Sequence, residues 1–407
     1  MSEWRSTTLG ELCREAGGSI QTGPFGSQLH ARDYVTEGVP SVMPMNIGDN
    51  RILEEGIARV SAKDALRLKR HQLAPGDIVY SRRGDVERRS LVRQENNGWL
   101  CGTGCLRVRV GDPTVHDATF ISWALGLPDV RRWIVQHAVG ATMLNLNTGI
   151  LAAVPLLVPP VREQRAIADV LGALDDKTAA NANAQRLIVD LCDGIFAAAS
   201  LSAGHASTFA EVADVAGGGT PKTAVEDFWH GDIRWATPTD VTALQSPYLS
   251  ETSRTISEAG LESCASRLYP KGSILMTSRA TIGAFAIAQH ATAVNQGFIV
   301  VNANDPDLQW WLFHDMRRRV PEFLSHANGA TFLELSRGKF KQLSISLPAD
   351  DTAAAFSATV GPLHAKNAQL ASENRRLTTT RDALLPLLMS GKLRVKDAEQ
   401  VVSDAGV

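Results

Sequence analysis

The run His137-Ala-Val-Gly-Ala-Thr-Met-Leu-Asn-Leu-Asn-Thr-Gly149 returns 189 positions later as His326-Ala-Asn-Gly-Ala-Thr-Phe-Leu-Glu-Leu-Ser-Arg-Gly338. A chain that carries one module twice has to fold as two similar units with two similar tasks. At that constant offset the match runs on through Pro159 and Pro348, Leu174 and Leu363, Lys177 and Lys366, and Asp193 and Asp382. Upstream the offset drifts. Gly104 faces Gly297, Pro44-Met-Asn-Ile47 faces Pro238-Thr-Asp-Val241, Gly76-Asp-Ile-Val79 faces Gly272-Ser-Ile-Leu275, and Thr8-Leu-Gly-Glu11 faces Thr208-Phe-Ala-Glu211. Each half is therefore a variable region followed by a constant tail.

The tails read as helices. After Pro159-Pro160, Ile167, Leu171, Leu174, Thr178, Asn181, Gln185, Ile188, Cys192 and Ile195 follow at steps of four and three. After Pro348, Phe356, Val360, Leu363, Asn367, Leu370, Asn374, Leu377, Arg381 and Leu384 repeat the pattern in phase. Such stripes are heptad seams, and two helices with one apolar stripe each bury them best against one another. Helices of about 30–38 residues are roughly 45–57 Å long at 1.5 Å per residue. A long module lies between them, so they can pair as an antiparallel coiled coil, and the polar seam residues would fix its register.

The variable regions read as short strands and turns. Asp77–Ser81, Leu106–Val110, Ser273–Thr277 and Phe298–Val301 have strand character, and Thr8 with Glu11 and Thr208 with Glu211 read as capping boxes opening a short helix. The fold class is α+β, with two tandem modules each followed by a long helix.

Composition excludes several classes. The formal charge of −2 gives no bulk attraction to nucleic acid, so any such binding must use local patches. Candidates are Lys69-Arg-His71, Arg82-Arg83, Arg88-Arg89, Arg107 with Arg109, and Arg317-Arg-Arg319. Five cysteines, an odd number, argue against a secreted disulfide framework, and no apolar run is long enough to span a bilayer, so the cytoplasm is the expected compartment. Cys101 and Cys105 lack a second Cys or His pair at ligand spacing, so no metal site is expected.

A search for catalytic chemistry finds no phosphate-binding loop, dinucleotide fingerprint, zinc-protease motif or nucleophile elbow. Gly217-Gly-Gly-Thr-Pro221 reads as a turn, Asp175-Asp176 and Asp350-Asp351 as solvated or helix-end charge, and His137 and His326 as parts of a structural turn.

One combination is more specific. Thr22-Gly-Pro-Phe-Gly-Ser27, Pro44-Met-Asn-Ile47, Leu73-x-Pro-Gly-Asp-Ile78, Gly102-Thr-Gly104, the Gly-Ala-Thr-x-Leu-x-Leu run and Pro159-Pro-x-x-Glu-Gln164 before a heptad helix resemble the specificity subunit of a type I restriction-modification system. So do Gly217–Pro221, Gly272–Arg279, Asn295-Gln-Gly297 and Leu387-Leu-Met-Ser-Gly-Lys-Leu393 in the second half. There are two departures. Glu163-Gln164 has no copy in the second tail, where Thr352 and Ala353 stand, and Arg82-Arg-Gly-Asp85 replaces the Ser278-Arg-Ala-Thr281 form.

The resemblance implies a non-catalytic, sequence-specific subunit that binds double-stranded DNA. Target-recognition domains would span residues 1–158 and 201–348, coiled-coil helices 159–200 and 349–392, and a C-terminal tail 393–407. Each domain would read one half of a bipartite asymmetric target. Two methyltransferase (modification) subunits carrying S-adenosylmethionine, and restriction/translocase subunits using ATP and magnesium, would be the partners, with no cofactor on this chain and no membrane. DNA-binding candidates are Ser27, Gln28, Asn46, Arg82, Arg83, Arg88 and Arg89 in the first domain, and Thr220, Lys222, Thr239, Ser278, Arg279 and Lys339 in the second. A duplicated protein-binding scaffold without DNA specificity, and a stand-alone restriction or methyltransferase enzyme, are the other readings.

Overall fold

The computed structural model describes residues 4–140, 142–202, 204–329 and 333–407; Ala141, Ala330, Thr331 and Phe332 of the shared run, and the Asp350 side chain, lie outside that description. The chain forms two compact units, Met1–Thr178 with Arg376–Val407, and Ala179–Arg375.

In the first unit, Gly17–Thr22, Cys105–Gly111, Asp77–Ser81 and Arg89–Leu91 form an antiparallel sheet in that order. A second sheet orders Tyr34–Val35, Ala58–Val60, Val39–Val42 and Leu100–Cys101, its last pair parallel. Arg5–Thr8 pairs with Pro155–Val158, tying the start of the module to its exit. The strand Asp77–Ser81 is buried along its whole length, as a β-rich central strand covered on both faces should be.

The second unit repeats this plan. Ala213–Ala216, Phe298–Ala303, Ile274–Thr277 and Phe285–Ala288 take the same order, with Tyr248–Leu249 added at the edge. Arg254–Ile256, Trp229–Ala236 and Thr292–Val294 form the second sheet, again with one parallel pair, and His205–Thr208 pairs with Ser344–Leu347. Both opening helices are capped as expected: the Glu11 and Glu211 carboxylates accept the Thr8 and Thr208 N–H groups at 3.0 and 2.9 Å.

The tails are two continuous helices, Val161–Ala199 and Asp350–Met389, and they pair within each unit. In the first unit Ile167, Leu171 and Leu174 share one core with Leu377, Leu384 and the module residues Phe120 and Trp123. In the second, Cys192 and Phe196 share a core with Phe356, Val360 and Trp311, while Ile188, Ile195 and Leu363 are half-buried against it and Leu370 is buried. Asn181, Gln185 and Asn367 are buried on the seam. The Gln185 amide donates to the Asn367 carbonyl at 3.3 Å, and the Asn367 amide returns a bond to the Gln185 carbonyl at 3.1 Å. A reciprocal polar pair of this kind holds only in one alignment, so it fixes register where leucines alone would slide.

Within the C-terminal tail, residues 393–407, Val395–Asp404 is a helix that places Ala398 and Val402 in the first unit's core. One sequence expectation needs correction here. Asp175 is not part of a solvated face: it is 6% exposed and is shared by Arg51, Arg93 and Arg381 at 3.4, 2.6 and 3.3 Å.

Candidate nucleic-acid interface

Both modules build the same joint at the end of their most buried strand. After Asp77–Ser81 the Arg82 N–H donates to the Gly104 carbonyl at 2.8 Å, and the Arg82 carbonyl accepts from the Leu146 N–H at 2.9 Å. After Ile274–Thr277 the Ser278 N–H donates to Gly297 at 2.8 Å, and its carbonyl accepts from Leu335 at 3.0 Å. Gly104 and Gly297 are needed for close approach, since an added Cβ would lie 3.3 Å from Pro44 and 2.8 Å from Pro238. Strand end, glycine turn, proline turn and the last leucine of the shared run, Leu146 or Leu335, thus meet at one place in each module. This explains why these motifs recur together.

The described parts of the shared run are tied by backbone bonds. Val139 and Asn145 exchange backbone bonds, as do Asn328 and Glu334, around Gly140 and Gly329 at φ +128° and +145°. His137 stacks on Trp133 at 3.8 Å and shares a hydrogen bond with that residue's carbonyl, so it sits at a helix end and not in a reactive cluster. Gly217-Gly-Gly is a packing device: a Cβ at Gly218 would meet the Val294 carbonyl oxygen at 1.8 Å.

The candidate DNA-binding residues divide by burial. In the first module Ser27, Arg83 and Arg88 are exposed and Gln28 and Arg82 half-buried. The Arg82 guanidinium lies 5.9 Å from the Phe25 ring, and the Gln28 side chain caps the Phe25 N–H at 3.1 Å, so loops 23–28 and 82–85 adjoin. In the second module Thr220, Lys222, Thr239, Arg279 and Lys339 are exposed. Ser278 and Arg279 border a cavity of about 450 Å³ together with Gln296, Glu334, Arg337 and Lys341. Thr220 bonds to Gln296, Lys339 lies on the helix Arg337–Lys341 beside the cavity, and Arg279 pairs with Glu334 at 2.8 Å. Lys222 stands apart, and its carbonyl accepts from the Trp229 indole at 3.4 Å.

Three candidates are interior residues. Asn46 is 1% exposed: its carbonyl oxygen accepts the Met43 N–H at 3.1 Å and its amide donates to the Leu53 and Glu55 carbonyls. Asp240 makes the matching cap on the Thr237 N–H at 2.7 Å; burial works against its charge, but the bonds from Thr237 and Ser253 hold its carboxyl below the usual range. The exposed positions of that turn are Met45 and Thr239, one residue earlier. Arg89 is 3% exposed, donating to the Ser122 carbonyl at 2.7 Å and to Asp49 at 3.1 Å, and Ser278 is 3% exposed at the joint. The side chains of Asn46 and Arg89 are thus held inside the module, whereas Ser278 is buried on the cavity wall.

Most of the other basic runs are also committed internally. Arg107 donates to the Arg70 and Gln72 carbonyls, Arg109 pairs with Asp77 at 2.6 Å, Arg317 with Asp193, and Arg319 with Asp315 and Glu322. Among the exposed basic residues, Arg83 and Arg279 stand at the two joints, and Lys69, Arg70, Arg88, Lys222 and Lys339 are exposed besides. Cys101 and Cys105 are buried thiols, Cys101 pushed up to about 12 by burial, and Cys105 bonds to the Val42 carbonyl.

Comparison with known proteins agrees with this anatomy. Residues 206–355 match the type I restriction modification DNA specificity domain. A 143-residue stretch, 35% of this chain, is 36% identical to the type I restriction enzyme MjaIX specificity subunit of Methanocaldococcus jannaschii, and it spans 33% of that protein's length. The HindI specificity subunit of Haemophilus influenzae aligns over 97% of this chain and all of its own length at 19% identity. The fold resembles the crystal structure of the type I restriction-modification S subunit from M. genitalium, with a TM-score of 0.64 and 16% identity over 95% of this chain and 96% of that one. No helix among the described residues is long and apolar enough to cross a membrane. With the DNA specificity domain matched in one module and the same joint built in the other, the chain is similar to type I restriction-modification specificity subunits.

Proposed function

We propose that this chain is the non-catalytic DNA-recognition subunit of a type I restriction-modification complex, and that each module reads one half of a bipartite, asymmetric target. The observation that carries the reading is the repeated joint with unlike side chains. Backbone bonds, glycine and proline coincide in the two modules, whereas the presented residues are Arg82-Arg-Gly-Asp85 in one and Ser278-Arg-Ala-Thr281 in the other. A fixed platform with exchangeable loop residues is how a scaffold reads different sequences, base edges being read by side chains such as Arg, Asn, Gln, Ser and Thr while Lys and Arg on phosphates set position.

The target-recognition domains are residues 1–158 and 201–348. The helices of 159–200 and 349–392 act as an antiparallel coiled-coil spacer that suits half-sites about one helical turn apart, roughly 34–36 Å. Two methyltransferase subunits, carrying S-adenosylmethionine, and restriction/translocase subunits using ATP and magnesium supply catalysis, and the complex works on DNA in the cytoplasm. Leu187 and Leu191, each 52% exposed and one turn apart on the central helix, offer an apolar contact for such a partner. The modest charge of the chain fits a subunit whose partners supply much of the phosphate contact.

Co-expression with the partner methyltransferase, followed by mapping of methylated genomic sites, tests the reading. It predicts an asymmetric two-part motif methylated only when this chain is present. Co-purification without a sequence-defined methylation pattern would favour a protein-binding scaffold.

A further inference from the structure

Three side chains from three different elements converge in the interior of the second unit. Cys192 lies on the central helix, His314 on the helix Gln309–Arg318, and His364 on the second long helix. All are at most 1% exposed, and their ligand atoms lie within 4.8 Å of one another, the two Nε2 atoms 2.9 Å apart. We propose that Cys192, His314 and His364 form a metal site for zinc(II), which fastens the second module to the helix pair.

Tetrahedral zinc with Zn–N of about 2.0–2.1 Å and Zn–S of about 2.3 Å puts neighbouring nitrogens roughly 3.3 Å apart and sulfur roughly 3.5 Å from each. The imidazole nitrogens need to open by only a few tenths of an ångström, and the Cys192 sulfur, within 4.8 Å of both, has to close in by at most about 1.3 Å. The mixed thiolate and imidazole set suits zinc and excludes the oxygen-preferring magnesium and calcium. Three protein ligands leave one coordination position for a water.

Both imidazole rings are held from behind. His314 Nδ1 lies 2.6 Å from the Asp193 carboxylate, and His364 Nδ1 lies 2.8 Å from the Tyr248 hydroxyl. With each Nδ1 engaged, the two Nε2 atoms are turned toward each other at 2.9 Å, and outer partners of this kind orient metal-binding histidines. The Trp310 ring stacks on His364 at 3.8 Å with 3° between planes, which fixes that imidazole further.

At the tail offset of 189, Cys192 corresponds to Arg381 and His364 to Asp175, and those two form a direct ion pair at 3.3 Å in the first unit. One copy thus joins its helices through an ion pair; the other places two metal-ligand residue types at the same two positions and brings a third, His314, to meet them. On binding, the Cys192 thiol loses its proton while both imidazoles bind as neutral rings, so one proton is released per ion.

The test uses the full-length, untagged chain, stripped with chelator and titrated with zinc chloride and, separately, cobalt chloride. The proposal predicts one zinc ion bound per chain with release of one proton. It also predicts a thiolate-to-cobalt charge-transfer band and a melting temperature that rises on adding zinc. Cys192→Ser and His364→Gln should each lose the charge-transfer band or the stoichiometric binding, and their melting should not respond to zinc, while Cys264→Ser behaves as wild type. Circular dichroism of each variant shows whether it is folded, and the wild-type titration stands even if a variant is not. A folded wild-type chain that binds no zinc, or folded Cys192→Ser and His364→Gln variants that bind it as tightly as wild type, would overturn the site. The Tyr248–His364–His314–Asp193 hydrogen-bond chain would then be the whole of the arrangement.

Discussion

The two units fasten the same helix pair with different chemistry. In the first, Asp175 accepts Arg51, Arg93 and Arg381, and Arg381 is also held by Asp382 at 2.8 Å and placed 5.6 Å from the Trp123 ring. In the second, the equivalent positions carry His364 and Cys192, surrounded by Phe196, Trp310, Trp311 and Phe356. Asp193, the counterpart of Asp382, turns to His314 and Arg317. The apolar seam is common to both, so the duplication has kept the backbone frame while the polar contacts crossing it diverged.

The comparison can be broken most severely at Asp175. Asp175→Ala leaves three guanidinium groups around a buried vacancy and should cost about 3 kcal/mol, the low end for breaking a buried pair because Arg51 and Arg93 keep some solvent. Urea denaturation measures it, and a change within error would mean that the first unit does not depend on its ion cluster. The helix entry is the next test. Gln164 accepts the Asp117 N–H at 2.9 Å and donates to the Pro159 carbonyl at 2.8 Å, whereas its counterpart Ala353 is simply buried. Gln164→Ala should therefore cost about 1–2 kcal/mol by stranding buried groups. Ala353→Gln should also destabilise, by about 1–3 kcal/mol, through overpacking.

A smaller difference lies in the joint loops. Gly84 at φ +73° and Ala280 at φ +58° are equivalent left-handed positions, and only the glycine is free of steric cost there. Ala280→Gly should stabilise by up to about 1 kcal/mol and Gly84→Ala should destabilise by about as much. Opposite signs in two thermal melts are the expected result. The smallest effect is titration at the first module's entry. Bonds from Arg5 and His116 pull the Glu15 carboxyl down to about 2 from an ordinary 4.5. A depressed carboxyl contributes stability above its unfolded pKa and loses it as pH falls, here between about 4.5 and 2. Glu15→Gln should flatten the acid limb of the stability curve in that window, and only slightly, because the pair is partly exposed.

Much of this frame is legible in the sequence. A heptad stripe repeated in phase specifies the helix pair, and glycine, proline and capping pairs at matched positions specify the joint. The limits of short strands are harder to read. Arg88 and Arg89 are neighbours in the chain, but Arg88 lies before the strand and is exposed, whereas Arg89 opens the fully buried strand Arg89–Leu91 and is bonded to Ser122 in the core. Met45 and Asn46 differ for a related reason, because the amide suited to a base edge also suits a turn cap. The Cys192, His314 and His364 cluster has no local spacing, since its ligands come from three separated elements that only tertiary packing brings together.

The central claim is that each module reads its own half of the target. It is tested most directly by methylation maps of the assembled methyltransferase carrying Arg83→Ala or Arg279→Ala. The account predicts that each substitution relaxes the sequence requirement in one half of the motif, a different half for each, and leaves the other half intact, with about 1–3 kcal/mol of discrimination lost per base contact removed. Both halves relaxing together under either substitution, or neither relaxing under both, would contradict it.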